Sequence, residues 1–184
     1  MLKWKVDEKI TLRPIEVRDS SHIFELTEKN RDYLREWLPW VDATQSVRDT
    51  RMSIKQMKKY QEERLGLTFV ILYDGEIVGM ASFNSFDWIN KITYIGYWLD
   101  ASFQGKGIMT KVVRALCNYA FVDLRLNRVE ICAAVENRKS RAIPERLGFK
   151  LEGIRRSAEW VNDRFVDHAI YGMLAEEWML EHKR

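Results

Sequence analysis

The chain of 184 residues has only 2 cysteines, 3 prolines and 9 glycines. So little proline and glycine excludes collagen-like and low-complexity chains. Cys117 and Cys132 sit among apolar neighbours, without the spacing of a zinc site or a secreted disulfide framework, and both read as core thiols with no metal expected. No stretch approaches the roughly 18 uninterrupted apolar residues of a membrane span, and Met1–Glu8 lacks the apolar segment of a signal peptide. A cytoplasmic protein with no membrane partner is expected. The formal charge is only +3, from 30 Lys+Arg against 27 Asp+Glu, and no nucleic-acid module is visible, so no nucleic-acid partner is expected. What is present is core-forming material: 46% hydrophobic and 12% aromatic residues, in a length that suits one domain over 1–184.

The pattern along the chain alternates strands and helices. Ile10–Pro14 alternates like a half-buried strand, and Asp19 offers an N-cap for a helix carrying Ile23, Phe24 and Leu26. Tyr33–Trp40 is aromatic-rich and interrupted by Pro39, which predicts a short helix or folded loop. Ser46 followed by Asp49 predicts a helix over 47–65 that stops at Gly66. Leu67–Tyr73 and Glu76–Phe83 flank Asp74-Gly75, a strong hairpin signal, and Lys91–Leu99 continues the antiparallel run. From Gly105 to about Val122 the apolar residues Ile108, Val112, Val113 and Leu116 mark one helix face. Arg128–Val135 reads as a strand, Ser140–Leu147 as a helix ending at Gly148, Phe149–Gly153 and Phe165–Leu174 as strands, and Ala175–Leu180 as a last helix. A mixed α+β sheet with one βαβ unit follows.

The most informative segment joins the strand ending Tyr97-Trp98-Leu99 to the helix that opens Gly107-Ile108-Met109-Thr110, through Gln104-Gly105-Lys106. Glycines at 105 and 107 let successive amides turn toward a ligand, and the helix start adds its unpaired N–H groups. Such a turn suits an anion. It also suits a glycine-softened helix start, and it has neither a Walker ending nor a third dinucleotide glycine. Between Gln104 and Arg156 there are 12 Lys+Arg and 5 Asp+Glu, so the charge is concentrated where a polyphosphate would lie.

Gln104-Gly105-Lys106-Gly107-Ile108-Met109, followed thirty residues on by Asn137-Arg138-Lys139-Ser140 and then Gly148-Phe149, resembles the GNAT superfamily of N-acetyltransferases, which bind acetyl-coenzyme A. Glu152-Gly153, Glu159-Trp160-Val161-Asn162-Asp163, Asp167-His168, Tyr171 and Glu177-Trp178 resemble its ribosomal-protein N-terminal (serine/alanine) acetyltransferase group. The resemblance implies a mainly antiparallel α+β sheet with helices on both faces and a splayed central strand pair. It implies cofactor contacts from Trp98, Leu99, Gln104, Gly105, Lys106, Gly107, Ile108, Met109, Thr110, Asn137 and Ser140, with main-chain amides at a bulge in the Tyr97–Leu99 strand facing the thioester oxygen. Met109 stands where the signature usually has Gly or Ala, so its side chain must point away from the pyrophosphate. Pro144 stands where many members place a tyrosine that protonates the leaving thiolate, and it suggests a late start or kink in that helix.

Acetyl transfer needs a neutral amine and a protonated leaving thiol. An α-amine of pKa about 7.7–8.0 costs about 1 kcal/mol to deprotonate at pH 7, against roughly 4–5 kcal/mol for a lysine near 10.4. The resemblance makes Glu159 the preferred base, with His168 the second candidate, and Ser140 the candidate acid. Each has a plain structural alternative: a solvated acid, a strand histidine, a helix-start serine. Trp37, Trp40 and Trp88 lie in connecting segments and suit either a substrate cleft or core or dimer packing; a homodimer is compatible. The expected acceptor is a protein N-terminus, with a small amine as the rival enzyme substrate and a non-catalytic acyl-coenzyme A-binding module as the rival class.

Overall fold

The computed structural model describes residues 3–181. The elements are β1 (Trp4–Lys5), β2 (Ile10–Pro14), α1 (Ser20–Lys29), α2 (Arg31–Leu34), α3 (Val47–Glu62), β3 (Leu67–Tyr73), β4 (Glu76–Asp87), β5 (Ile92–Leu99), α4 (Ile108–Asn118), β6 (Arg128–Ala134), α5 (Arg138–Arg146), β7 (Lys150–Val161), β8 (Arg164–Leu174) and α6 (Ala175–Glu181). The eight strands form one sheet in the order β1-β2-β3-β4-β5-β6-β8-β7, antiparallel except for β5 beside β6.

Alternation along the strands assigns the two faces. Phe69 and Ile71 of β3 point into the large core with Ile108, Val112 and Leu116 of α4 and Trp178 of α6. Val70, between them, points to the other face, where Ile23 and Leu26 of α1 and Ile54 of α3 cover it. The β3–β4 turn takes left-handed backbone at both Asp74 (φ 50°) and Gly75 (φ 88°), as the Asp-Gly signal predicts.

Several boundaries differ from the sequence reading for identifiable reasons. Asp19 makes no side-chain cap to α1; its carboxylate is buried in a two-point pair with Arg13, at 2.8 and 3.0 Å, and accepts the Glu16 amide. Helix α3 ends at Glu62 rather than 65, because Arg64 (φ 57°) takes the left-handed turn ahead of Gly66. Helix α4 gives way at Tyr119–Asp123 to a wider π turn. Helix α5 starts early, at Arg138, and contains Pro144 in its seventh position, without the late start the proline suggested. Strand β7 runs eight residues beyond Gly153, to Val161, interrupted by a one-residue bulge at Glu152 and a longer one between Arg155 and Glu159.

Candidate active site

The parallel pairing of β5 with β6 covers only Ile92–Tyr94 against Arg128–Glu130. Beyond it the strands separate, while each keeps its antiparallel partner on the outer side. A cleft of about 820 Å³ opens in the gap, walled by Gly96, Tyr97 and Trp98 on one side and Ile131–Ala134 on the other. The expected bulge lies on β4 instead of the Tyr97–Leu99 stretch: Asn84 is the extra residue opposite the Tyr94–Ile95 step, and its side chain sits over Gly96, where a Cβ would come within 2.9 Å.

The glycine-bearing turn follows β5. Gly105 (φ 76°) and Gly107 (φ 72°) both take the left-handed backbone, and a Cβ at either would meet nothing within 4 Å, so the turn presents bare main chain to an open face. Ile108 and Met109 are buried in the core, so the Met109 side chain points inward as the signature requires and the first-turn amides of α4 have no helical partner of their own. The turn is braced from both ends. Asp100, 2% exposed, accepts from Lys29 Nζ at 2.7 Å and from the amide and hydroxyl of Ser102 at 3.0 and 2.8 Å. Burial pushes the Asp100 carboxyl up, but these donors outweigh it and leave the group below the usual carboxylate range. Asn30 Oδ1 accepts the Ala101 amide at 3.0 Å, Tyr33 donates to the Leu99 carbonyl, and Lys139 Nζ reaches Gln104 Oε1 at 3.2 Å. Burial raises the Tyr33 phenol to about 12, so it stays a donor.

Across the cleft, Asn137 stands just ahead of α5 as its N-cap, its Oδ1 accepting the Ser140 amide at 3.1 Å. That bond leaves its NH₂ group and a second lone pair on Oδ1 for a cofactor contact. Asn137 and Ser140 both line the cleft, as do Glu159 and His168. The two rival bases form one pair, His168 Nε2 to Glu159 Oε2, 3.1 Å. Their meeting depends on the β7 bulge. Arg155 pairs with His168 and Glu159 with Val166, so three residues of β7 oppose Asp167 alone. An insertion of two preserves side-chain parity and sets Glu159 on the face of Val166 and His168. The bulge closes where the Ser157 amide (φ 47°) donates to Asp167 Oδ1 at 2.7 Å.

Trp37, Trp40 and Trp98 all line the cleft, Trp40 and Trp98 with ring centres 6.3 Å apart and Trp37 packed against Ala134, Val161 and Val166. Trp88 does not join them. It stacks on Phe86 at 4.7 Å and donates Nε1 to the Arg64 carbonyl at 2.7 Å, which ties the β4–β5 connection to the end of α3 and corrects the expectation that it lines the cleft. Cys132 is corrected too: Cys117 is fully buried, but Cys132 is half-buried on the cleft wall. Its alternation with Arg128 and Glu130, apart from buried Val129 and Ile131, carried that signal. The Tyr97 phenol donates to the Ser140 carbonyl at 3.0 Å, a contact between residues 43 positions apart that no local sequence signal marks.

A splayed parallel strand pair, a bare glycine turn at a helix start and a cleft holding candidate proton carriers define an acyl-coenzyme A-dependent transferase. The chain belongs to the family of the acetyltransferase (GNAT) domain, whose model matches residues 9–150, and it is an acetyl-coenzyme A-dependent N-acetyltransferase. It is similar to YdaF of Bacillus subtilis, named provisionally as a ribosomal N-acetyltransferase, with 41% identity over 97% of this chain and 98% of that one. It is 32% identical to the ribosomal-protein-serine acetyltransferase of Escherichia coli, over 94% of this chain and 96% of that one. A solved structure of RimL, a ribosomal alpha-N-protein acetyltransferase in complex with coenzyme A, superposes with a TM-score of 0.92 at 30% identity, covering 96% of this chain and 99% of that one.

Proposed function

We propose that this enzyme acetylates the α-amine of a protein N-terminus, that of a ribosomal protein, by direct attack within a ternary complex. The carrying observation is the chemistry of the cleft wall. Among the described residues it has one carboxylate, Glu159, no lysine and no arginine; the rest is aliphatic and aromatic surface with hydroxyl groups, Asn84, Asn137, Cys132 and the His168 imidazole. A polyamine would bring further ammonium groups into a site with no further carboxylates to receive them, whereas an N-terminal peptide brings one amine and a chain of neutral amides. Similarity to the serine acetyltransferase and to YdaF supports the same acceptor.

Acetyl-coenzyme A, when bound, supplies the activated acetyl thioester. The residues fit it: the amides of Gln104–Thr110, flanked by Lys106, would hold the pyrophosphate, and Trp98, Leu99 and Asn137 would hold the pantetheine arm by polar groups. Glu159 takes the proton of the attacking amine, directly or through a water, and His168 orients it through Nε2. Ser140 Oγ holds the proton for the departing thiolate. An α-amine asks only about 1 kcal/mol of this base at pH 7.

Incubation with acetyl-coenzyme A and a panel of N-terminal peptides, Nα-blocked lysine peptides and spermidine tests the reading by thiol release. Turnover confined to free α-amines is expected. Faster turnover of spermidine, or thiol release from no amine despite coenzyme A binding, overturns it.

A further inference from the structure

Pro144 lies inside α5, where a residue normally donates its N–H to the carbonyl four positions earlier. Proline has no N–H, and the carbonyl it leaves without an amide is that of Ser140. The Ser140 peptide stands in the first turn of the helix, with its own amide already taken by Asn137 Oδ1. The carbonyl is met from the opposite wall, by the Tyr97 hydroxyl at 3.0 Å. We infer that Tyr97 is a positioning residue for acetyl transfer: its phenol replaces the amide that Pro144 lacks and fixes the first turn of α5, with Ser140 on it, against the splayed strand.

The remaining fasteners of α5 lie elsewhere. Arg141 donates to the Val135 carbonyl and to Tyr171 Oη, both at 2.8 Å, and Tyr171 donates to Glu145 at 2.6 Å. None holds the Ser140 peptide. The strand β5 that carries Tyr97 also leads into the glycine turn, so the single bond spans the gap between the two halves of the site, as Lys139 to Gln104 does at its edge. Tyr97 is not itself a proton carrier here: its hydrogen points into a carbonyl, and burial pushes the phenol well above its ordinary value. The inference rests on the reading of Ser140 as the group at the departing sulfur, but only in what the positioning is for.

The test is a double-variant cycle on the full chain with acetyl-coenzyme A and a reactive N-terminal peptide. Tyr97→Phe is expected to lower kcat about tenfold while the KM for acetyl-coenzyme A moves by no more than about twofold. Pro144→Ala restores an N–H to the helix and leaves kcat near that of the parent, since a carbonyl has two lone pairs and accepts both donors. The double variant recovers most of the loss; Pro144→Leu, which also restores the N–H at a larger volume, serves the same purpose if alanine leaves the helix loose. Tyr97→Phe at parental kcat, or losses that simply add with both Pro144 replacements, overturns the inference. Ser140→Ala is measured alongside. A fully active Ser140→Ala with a slow, rescued Tyr97→Phe removes the proton role of Ser140 and leaves the positioning of α5 standing.

Discussion

His168 Nε2 lies 3.1 Å from Glu159 Oε2, so the two residues that compete for the role of base on sequence grounds are one hydrogen-bonded unit. The contact is cross-strand and diagonal, and only Glu159 is the more open to the cleft, at 34% side-chain exposure against 16%. On the proposed mechanism Glu159 is the group that takes the amine's proton and His168 the one that orients it. Glu159→Gln keeps the shape and loses the proton acceptor, and kcat/KM should fall roughly 10²–10³-fold. His168→Gln keeps a donor for Glu159 and should cost far less. Steady-state thiol release at saturating acetyl-coenzyme A decides; a larger loss in His168→Gln than in Glu159→Gln would reverse the two roles.

The β7 bulge sets that pair, and one carboxylate closes it. Asp167→Ala leaves the Ser157 amide without its partner and lets residues 156–158 slacken, which should lower kcat about tenfold and stability by about 1 kcal/mol. Asp167→Asn keeps an acceptor oxygen and should retain most of the activity. Chemical denaturation paired with kinetics separates the cases, and equal activity in Asp167→Ala and the parent would show that the bulge holds without this bond.

These two regions also mark what could be read from the chain alone. The Asp74-Gly75 turn and the Gly105 and Gly107 positions were legible because their signals are local: left-handed backbone restricts the residue type at the position itself. The strand faces followed from alternation. What escaped depends on partners distant in sequence. The length of β7 and its two-residue insertion exist only in register with β8, and the Glu159–His168 contact exists only because of that insertion. Pro144 on its own suggests a late start or a kink, because nothing local shows that the phenol of Tyr97, 47 positions earlier, meets the carbonyl it frees. The place of Trp88 is hidden for a related reason, since an aromatic in a loop says nothing of which distant carbonyl it will find.

The glycine turn gives a backbone prediction. Gly107 (φ 72°) begins α4 in the left-handed region, where a Cβ meets no neighbour but the backbone itself is unfavourable by roughly 1–2 kcal/mol. Gly107→Ala should lower stability by about that amount. Relief of the strain would re-aim the amides of the turn, so the KM for acetyl-coenzyme A should rise more than that for the peptide. Calorimetric titration with coenzyme A checks the binding half; unchanged affinity would mean that the turn does not carry the pyrophosphate.

The last prediction concerns acid. The Asp100 carboxyl is held below its ordinary value by Lys29 and Ser102 despite its burial, so the unfolded chain binds its proton at a higher pH than the folded one. A depressed carboxylate contributes stability that is fully present above the unfolded pKa, about 3.9, and is lost as pH falls through the lower folded value. Lys29→Met removes one donor, brings the folded pKa closer to the unfolded one and should shrink this contribution, so that the variant is less stable than the parent at neutral pH and the difference narrows as the pH drops below about 4. Because Asp100 also caps the turn that leads into Gln104–Gly107, the same variant should bind coenzyme A more weakly at neutral pH, where Lys106 and the amides are otherwise unchanged. Urea unfolding across pH 3 to 7, with coenzyme A titrated at the upper end, measures both effects. A stability difference that stays constant across the range would place the contribution of Lys29 in packing rather than in the charge of Asp100.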